Sequence, residues 1–238
     1  LAKWFNIMFS KELKEATKKS HSAAENTKFV TGFLRGVVDP EEYRKLIANF
    51  WHVYSTMERL IEDTDDPTVR VLRGWQSELN RSKPLEKDLV YYYGPYWKEE
   101  VGPSPACDTY CYRLSEIASQ DPYLLLAHHY TRYIGDLSGG QILCKIAKNA
   151  LNPPAGEGLN FYEFPEISNA KEWKTNYRAV LDQLDLDESQ KNALFAEANY
   201  AFRLNMYMFD EIKSEDPYPA MTALKGFWKV IIGSITKR

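Results

Sequence analysis

The chain has 238 residues, 44% hydrophobic and 26% charged, with a formal net charge of −3, the ordinary balance of a soluble globular protein of one large or two small domains. That charge gives no electrostatic case for nucleic acid, and no apolar run reaches the 18 or so residues that span a bilayer, so no membrane segment is expected. Three cysteines, Cys107, Cys111 and Cys144, form no Cys-x-x-Cys pair, which argues against a disulfide framework or a cysteine zinc site and predicts reduced thiols.

Residues 1–9 read as an apolar leader, with Trp4, Phe5, Ile7, Met8 and Phe9 but no signal-peptide cleavage pattern. Ser10 is placed as the N-cap of a helix from Lys11 to about Asn26, a stretch free of glycine and proline. On that helix Leu13, Thr17, Ser20 and Ala24 share the less charged face, while Lys14, Lys18, His21 and Glu25 fall within a neighbouring arc of roughly 60°. The plain reading is a solvated charged face for the lysines and a satisfied core histidine for His21. The alternative is a ligand held between this helix and another.

A short segment over Phe29 to Leu34 closes at Gly36. Asp39-Pro40-Glu41-Glu42 supplies an N-cap, a proline for the first turn and acidic side chains at the positive helix end. Tyr43, Leu46, Ile47, Phe50, Tyr54, Met57 and Ile61 then keep helical spacing for about five turns, until the acidic run Glu62 to Asp66 and Pro67. Lys83 to Tyr93 predicts a shorter helix, and Tyr110, Leu114, Ile117 and Ala118 another, with Gly94-Pro95, Gly102, Pro103 and Pro105 between them.

Asp121-Pro122 opens the helix that runs through His128 and His129 into Tyr130 to Gln141. Gly135, Gly139 and Gly140 lie in that stretch, each costing roughly 1 kcal/mol against alanine inside a helix. Glycine serves where backbone must approach a ligand or bend, and Asp136 puts a carboxylate at the same spot. Ile142, Ile146 and Ala147 resume helical spacing until Pro153-Pro154, Gly156 and Gly158. Trp173, Tyr177, Val180 and Leu184 mark a helix whose other stripe is Lys171, Lys174 and Arg178. Asp187 begins the last long helix, with Leu194, Ala198, Ala201, Asn205, Met208, Phe209 and Ile212 on one face. No segment alternates with period two, so the pattern predicts an all-α, single-domain helical bundle over 1–238, with 1–9 and 214–238 peripheral.

Metal chemistry has four histidines to choose from. Glu-x-x-His, which a dinuclear iron bundle needs on two helices, does not occur at His21, His52, His128 or His129; His-Glu-x-x-His and Cys-x-x-Cys-His are also missing. A non-covalent haem with a single protein ligand remains allowed. His21 is the best candidate, because Glu25 one turn on can accept its second ring N–H. Lys14 and Lys18 would then face the carboxylates of an anionic ligand.

The stretch Lys14 to Asn26, together with Tyr130 to Gln141, resembles the paired proximal and distal helix signatures of the haem oxygenases. The likeness extends through Tyr43 to Ile61, Asn176-Tyr177-Arg178 and Asn199 to Ile212, weakens at both ends, and is nearest in character to the soluble enzymes of cyanobacteria and plastids. It implies a haem b, both prosthetic group and substrate, sandwiched between a proximal and a kinked distal helix. It implies cleavage with O2 at the α-meso carbon to biliverdin IXα, CO and ferrous iron.

Residue by residue, the resemblance makes His21 the proximal iron ligand and Glu25 its partner. Gly135 and Gly139 would press their backbone on the distal haem face, with Gly140 left to let the helix bend. Asp136 would anchor the waters that deliver protons during oxygen activation, Tyr54 and Arg132 extending that network; an ionised aspartate has no proton of its own to give, so it acts by orienting waters. Lys14, Lys18, Tyr130, Lys174 and Arg178 would hold the propionates and so set the rotation that selects the α carbon. Phe202 and Asn205 would wall the distal side.

No Gly-x-Gly-x-x-Gly follows a strand, so no tightly bound flavin or nicotinamide is expected and electrons must come from outside. The resemblance implies soluble ferredoxin, docking where Lys14, Lys18, Lys19, Lys171, Lys174 and Arg178 bring positive charge to the haem edge, a contact that weakens with salt. A monomer, in cyanobacterial cytoplasm or plastid stroma, is the matching expectation. Two rivals are a haem carrier or sensor that uses the same pocket without turnover, and a thiaminase-like helical hydrolase. The latter wants a nucleophilic cysteine among acidic groups, a setting that Cys107, Cys111 and Cys144 do not show.

Overall fold

The computed structural model describes residues 8–212; Trp4, Phe5 and Ile7 of the leader, and the tail from 214 on, lie outside the described residues. In chain order the helices are α1 (Phe9–Glu25), α2 (Lys28–Leu34), α3 (Pro40–Asp63), α4 (Pro67–Arg70), α5 (Gln76–Leu79), α6 (Ser82–Tyr93), α7 (Trp97–Glu100), α8 (Pro105–Gln120), α9 (Leu125–Gly135), α10 (Gln141–Leu151), α11 (Ala170–Leu181) and α12 (Glu188–Glu211). The described residues contain no strand, and the fold is all-α as the periodicity predicts.

Helix starts follow local capping chemistry. Asp39 accepts from the N–H groups of Glu41 and Glu42, with Pro40 in the first turn of α3. Asp187 and Gln190 form a reciprocal capping box at the start of α12. The start of α1 differs from the expectation. Met8 occupies the N-cap position without a side-chain bond, and Ser10 lies inside the helix, where its N–H and Oγ donate to the two carboxylate oxygens of Asp182 at 2.7 and 3.1 Å. The cap is therefore supplied by a residue just past the end of α11, and it fixes those two helices to each other.

The apolar face predicted for α3 is the one that is buried: Tyr43, Ile47, Tyr54 and Met57 are fully enclosed, each such side chain contributing about 1.5–3 kcal/mol. α3 packs against α6 and α8, while α12 packs against α1, α8 and α9. One contiguous hydrophobic cluster joins these elements, from Phe9 to Ile212. Asp88 of α6 accepts from Asn160 and Phe161 at 2.8 Å, which ties the loop after α10 down and seats Phe161 against Phe50 and Tyr54.

α9 does not end at Gly135. It passes through a π turn over Asp136–Gly140 into α10, so the glycine-rich stretch is embedded in a helix as expected, one whose register widens locally to π. Asp182→Ala should lower unfolding free energy by about 1 kcal/mol through loss of the α1 cap, read from urea denaturation; a loss below a few tenths would show that the contact is dispensable.

Candidate functional site

None of the three glycines of the distal stretch needs glycine for its backbone. Gly135 (φ −62°) and Gly140 (φ −54°) have right-handed helical angles, and Gly139 is not among the glycines with positive φ. The reason for them is space. A Cβ on Gly135 or Gly139 would meet no atom of the chain within 4 Å, whereas one on Gly140 would touch the Gly135 carbonyl at 3.5 Å, Asp136 at 3.7 Å and Tyr162 at 3.9 Å. Gly140 thus faces inward beneath Tyr162, and Gly135 and Gly139, one turn apart, leave a strip of bare backbone on the exposed edge. A flat ligand can lie against such a strip.

Asp136 stands beside it. Its carboxylate accepts from the Tyr54 hydroxyl at 2.5 Å, and burial pushes its pKa up to about 6 against the opposing pull of Arg132, Tyr54 and Arg81. Arg132 is buried, with its guanidinium stacked 4.4 Å from the centre of the Phe50 ring and 4.6 Å from that of Tyr54, and it donates to the Oδ1 of Asn205. Tyr54 thus adjoins both Arg132 and Asp136. Asn205, expected as part of a wall, is bonded to Arg132.

His21 is exposed on α1, its Nδ1 3.6 Å from Glu25 Oε2 and its ring edge against Phe202, centroids 5.7 Å apart. Phe202 and Asn205 lie one turn apart on α12, so a single helix face joins His21 on one side to Arg132 on the other. The other histidines are committed or enclosed. His129 Nδ1 pairs with the Tyr177 hydroxyl at 2.8 Å, and burial pushes its pKa down to about 3. His128 is bonded at both ring nitrogens, and burial lowers His52 below its ordinary value.

The cationic residues surround this cleft from α1 and α11. Lys14 and Lys18 are exposed, Lys18 lying 3.8 Å from Glu15. Arg178 donates to the Lys174 carbonyl at 3.4 Å, and its charge opposes the rise that burial causes in the Tyr130 pKa. Lys174 reaches across to the π turn, donating to the Leu137 carbonyl at 3.0 Å and to Ser138 Oγ at 2.8 Å. That leaves one of its three N–H donors for a ligand.

Two polar clusters behind the site were not read from the sequence. Glu58 takes bonds from Arg81, Ser82 and Tyr133, and Glu197 links Arg113 to His128. The only available signal was a carboxylate on an otherwise apolar helix face, which Glu197 provides between Leu194 and Ala201. The cysteines are free thiols. Among the described residues no helix is long and apolar enough to cross a membrane.

Comparison with known proteins places this geometry in context. The family model described as heme oxygenase matches residues 7–211. A heme oxygenase of the red alga Porphyra purpurea is 50% identical over 204 residues, 85% of this chain and 86% of that protein. The crystal structure of heme oxygenase-1 from the cyanobacterium Synechocystis in complex with heme has a TM-score of 0.82 at 43% identity, covering 96% of this chain and all of the other. That of heme oxygenase-2 from the same organism, with heme and NO, has a TM-score of 0.83 at 41% identity, covering 87% and 85% of the two chains.

The raised pKa of Asp136, about 6, has a consequence for stability. Between the ordinary carboxylate value near 4 and the folded value, the native state holds a proton that the unfolded chain has lost, so this residue's contribution falls as pH rises through that window. Above it the cost is roughly 2 kcal/mol, discounted for partial exposure of the residue. Asp136→Asn should therefore make the ligand-free protein more stable near neutral pH, with the advantage shrinking towards about pH 4; urea unfolding at the two pH values measures this, and an advantage that does not depend on pH would contradict it.

Proposed function

As the chain belongs to the haem oxygenase family, we propose that it is an enzyme that degrades haem b. The reaction is cleavage with O2 at the α-meso carbon, giving biliverdin IXα, CO and ferrous iron, with electrons from reduced soluble ferredoxin. The observation that carries the reading is the bare Gly135–Gly139 strip beside a half-buried Asp136, joined through the Phe202 and Asn205 face to an exposed histidine. Bound haem supplies the iron at which dioxygen is activated and the porphyrin carbon that is oxidised.

The chain's own residues bind, orient and move protons. Glu25 takes the Nδ1 side of His21 and leaves Nε2 to ligate. Gly135 and Gly139 let backbone approach the opposite face while excluding a second protein ligand. Asp136, ionised and accepting from Tyr54, orients waters as donors. Arg132 holds that arrangement from behind. Lys14, Lys18, Tyr130, Lys174 and Arg178 would hold the propionates, the cations through charge-assisted bonds, and so would set the rotation of the bound ring. Lys14, Lys18, Lys19 and Lys171 are exposed on α1 and α11 and, with Lys174 and Arg178, form the basic face for ferredoxin.

A non-catalytic carrier of haem has no need of a carboxylate buried at a cost in stability, which favours turnover over the carrier or sensor reading. In Asp136→Ala, haemin should bind at one equivalent while biliverdin formation falls by at least about 100-fold; an unchanged biliverdin yield overturns the assignment. His21→Ala should lose both the histidine-ligand spectrum and turnover, and regain them with added imidazole.

A further inference from the structure

A row of aromatic rings runs from the distal cleft to the protein surface. It starts at Tyr54, whose ring lies 5.6 Å from that of Tyr133. Tyr133 is 4.6 Å from the His129 imidazole, and His129 stacks on Tyr177 at 5.6 Å and 15°. Tyr177 in turn stacks on Trp173 at 5.2 Å and 19° and meets Trp75 at 4.8 Å. Tyr54, Tyr133, His129 and Tyr177 are buried, while both indoles are half-buried and reach the surface.

Each phenol in the row, and the indole of Trp173, has its own proton acceptor. Tyr54 donates to Asp136 Oδ2 at 2.5 Å, Tyr133 to Glu58 Oε1 at 3.0 Å, and Trp173 Nε1 to Glu78 Oε2 at 2.7 Å. The Tyr177 hydroxyl lies 2.8 Å from His129 Nδ1. Burial keeps that imidazole neutral, and its Nε2–H tautomer accepts the phenol proton. Packing alone does not ask for this set of bases, because a buried phenol or indole needs only one hydrogen-bond partner and a backbone carbonyl suffices. One-electron oxidation does ask for it. A phenol or indole that loses an electron becomes strongly acidic, and the loss is easiest where a base already holds the proton. Burial raises the carboxyls of Asp136 and Glu58 above their ordinary values, so both take up a proton more readily than an exposed carboxylate.

We propose that Tyr54, Tyr133, His129, Tyr177 and Trp173 form a relay that carries an oxidising equivalent from the distal cleft to the surface, where a soluble thiol re-reduces Trp173. This rests on the reading of the cleft as a haem site and adds to it a protective activity, the reduction of peroxide. In each transfer the Trp173 indole loses one electron and passes its Nε1 proton to Glu78. The electron moves through Tyr177, across the His129 ring and through Tyr133 to Tyr54, which delivers it into the cleft. Each phenol oxidised on the way lends its proton to its own acceptor and takes it back on reduction. Two thiols give up two electrons and two protons and leave one disulfide; with these, one hydrogen peroxide becomes two waters.

The test treats the full-length, haemin-loaded protein with hydrogen peroxide and maps the oxidised side chains by peptide mass spectrometry. Trp173 should gain oxygen, and added glutathione should suppress this while being converted to its disulfide. Tyr177→Phe keeps the ring stack and removes only the hydroxyl. With haemin affinity unchanged, it should lose the oxidation of Trp173 and accumulate oxidation at Tyr54 and Tyr133. Unchanged oxidation of Trp173 in Tyr177→Phe overturns the proposal, as does oxidation of Trp173 by the same peroxide in ligand-free protein. Should Tyr177→Phe fail to fold, Glu78→Gln at the surface takes its place: the amide still accepts the indole bond but takes no proton, so Trp173 oxidation should fall, and an unchanged level counts against the relay. Haemin titration and biliverdin formation on the same preparation separate the two readings. Normal turnover with Trp173 untouched by peroxide overturns the relay alone, whereas failure to bind haemin overturns the haem site and the relay with it.

Discussion

Burial of the Asp136 carboxylate on a helix whose outer edge is bare backbone is the constraint that the surrounding structure answers. A carboxylate in that position resists ionisation, and the residues around it offset the cost in distinct ways. Tyr54 gives it a proton to accept, while Arg132 brings a positive charge that is itself stacked on two aromatic rings and held by Asn205. Phe161 closes the floor under Tyr54, and it is held there by Asp88 through the loop after α10. Elements far apart in the chain thus converge on one charge.

The second requirement is that an exposed imidazole and this buried carboxylate serve the same cleft. α12 meets it by packing on both α1 and α9, with Phe202 against His21 and Asn205 on Arg132 one turn further along. α11 completes the frame: Asp182 caps α1, the Arg178 charge acts on Tyr130, and Lys174 ties to the π turn. The cations that suit propionates are therefore also what holds the distal helix in place, so ligand binding and the shape of the cleft are coupled through the same side chains.

Local signals in the sequence carried most of the fold. The Asp39-Pro40 start, the Asp187 start and the apolar face of α3 are decided within a few residues and appear as predicted. Ser10 shows where such reasoning stops: its residue type suits an N-cap, but the actual cap is Asp182, 172 positions away, and no local pattern reveals it. The glycines were legible as a cost without a visible return. Only the backbone angles separate a conformational need from a spatial one, and they assign Gly135 and Gly139 to space and Gly140 to packing under Tyr162. Lys174 was legible as a cation but not as a tie to Leu137 and Ser138, and the Glu197–His128 pair needs two helices from distant parts of the chain brought together before it exists.

The central claim is that the open space over Gly135 and Gly139 is where haem lies. Haemin titration of Gly139→Leu against the unaltered protein tests it most directly. The Cβ of a leucine there meets no atom of the chain within 4 Å, and helix propensity improves by up to about 1 kcal/mol, so the ligand-free variant should be at least as stable, yet bind haemin at least about 10-fold more weakly. Equal haemin affinity in the two proteins would place the ligand elsewhere.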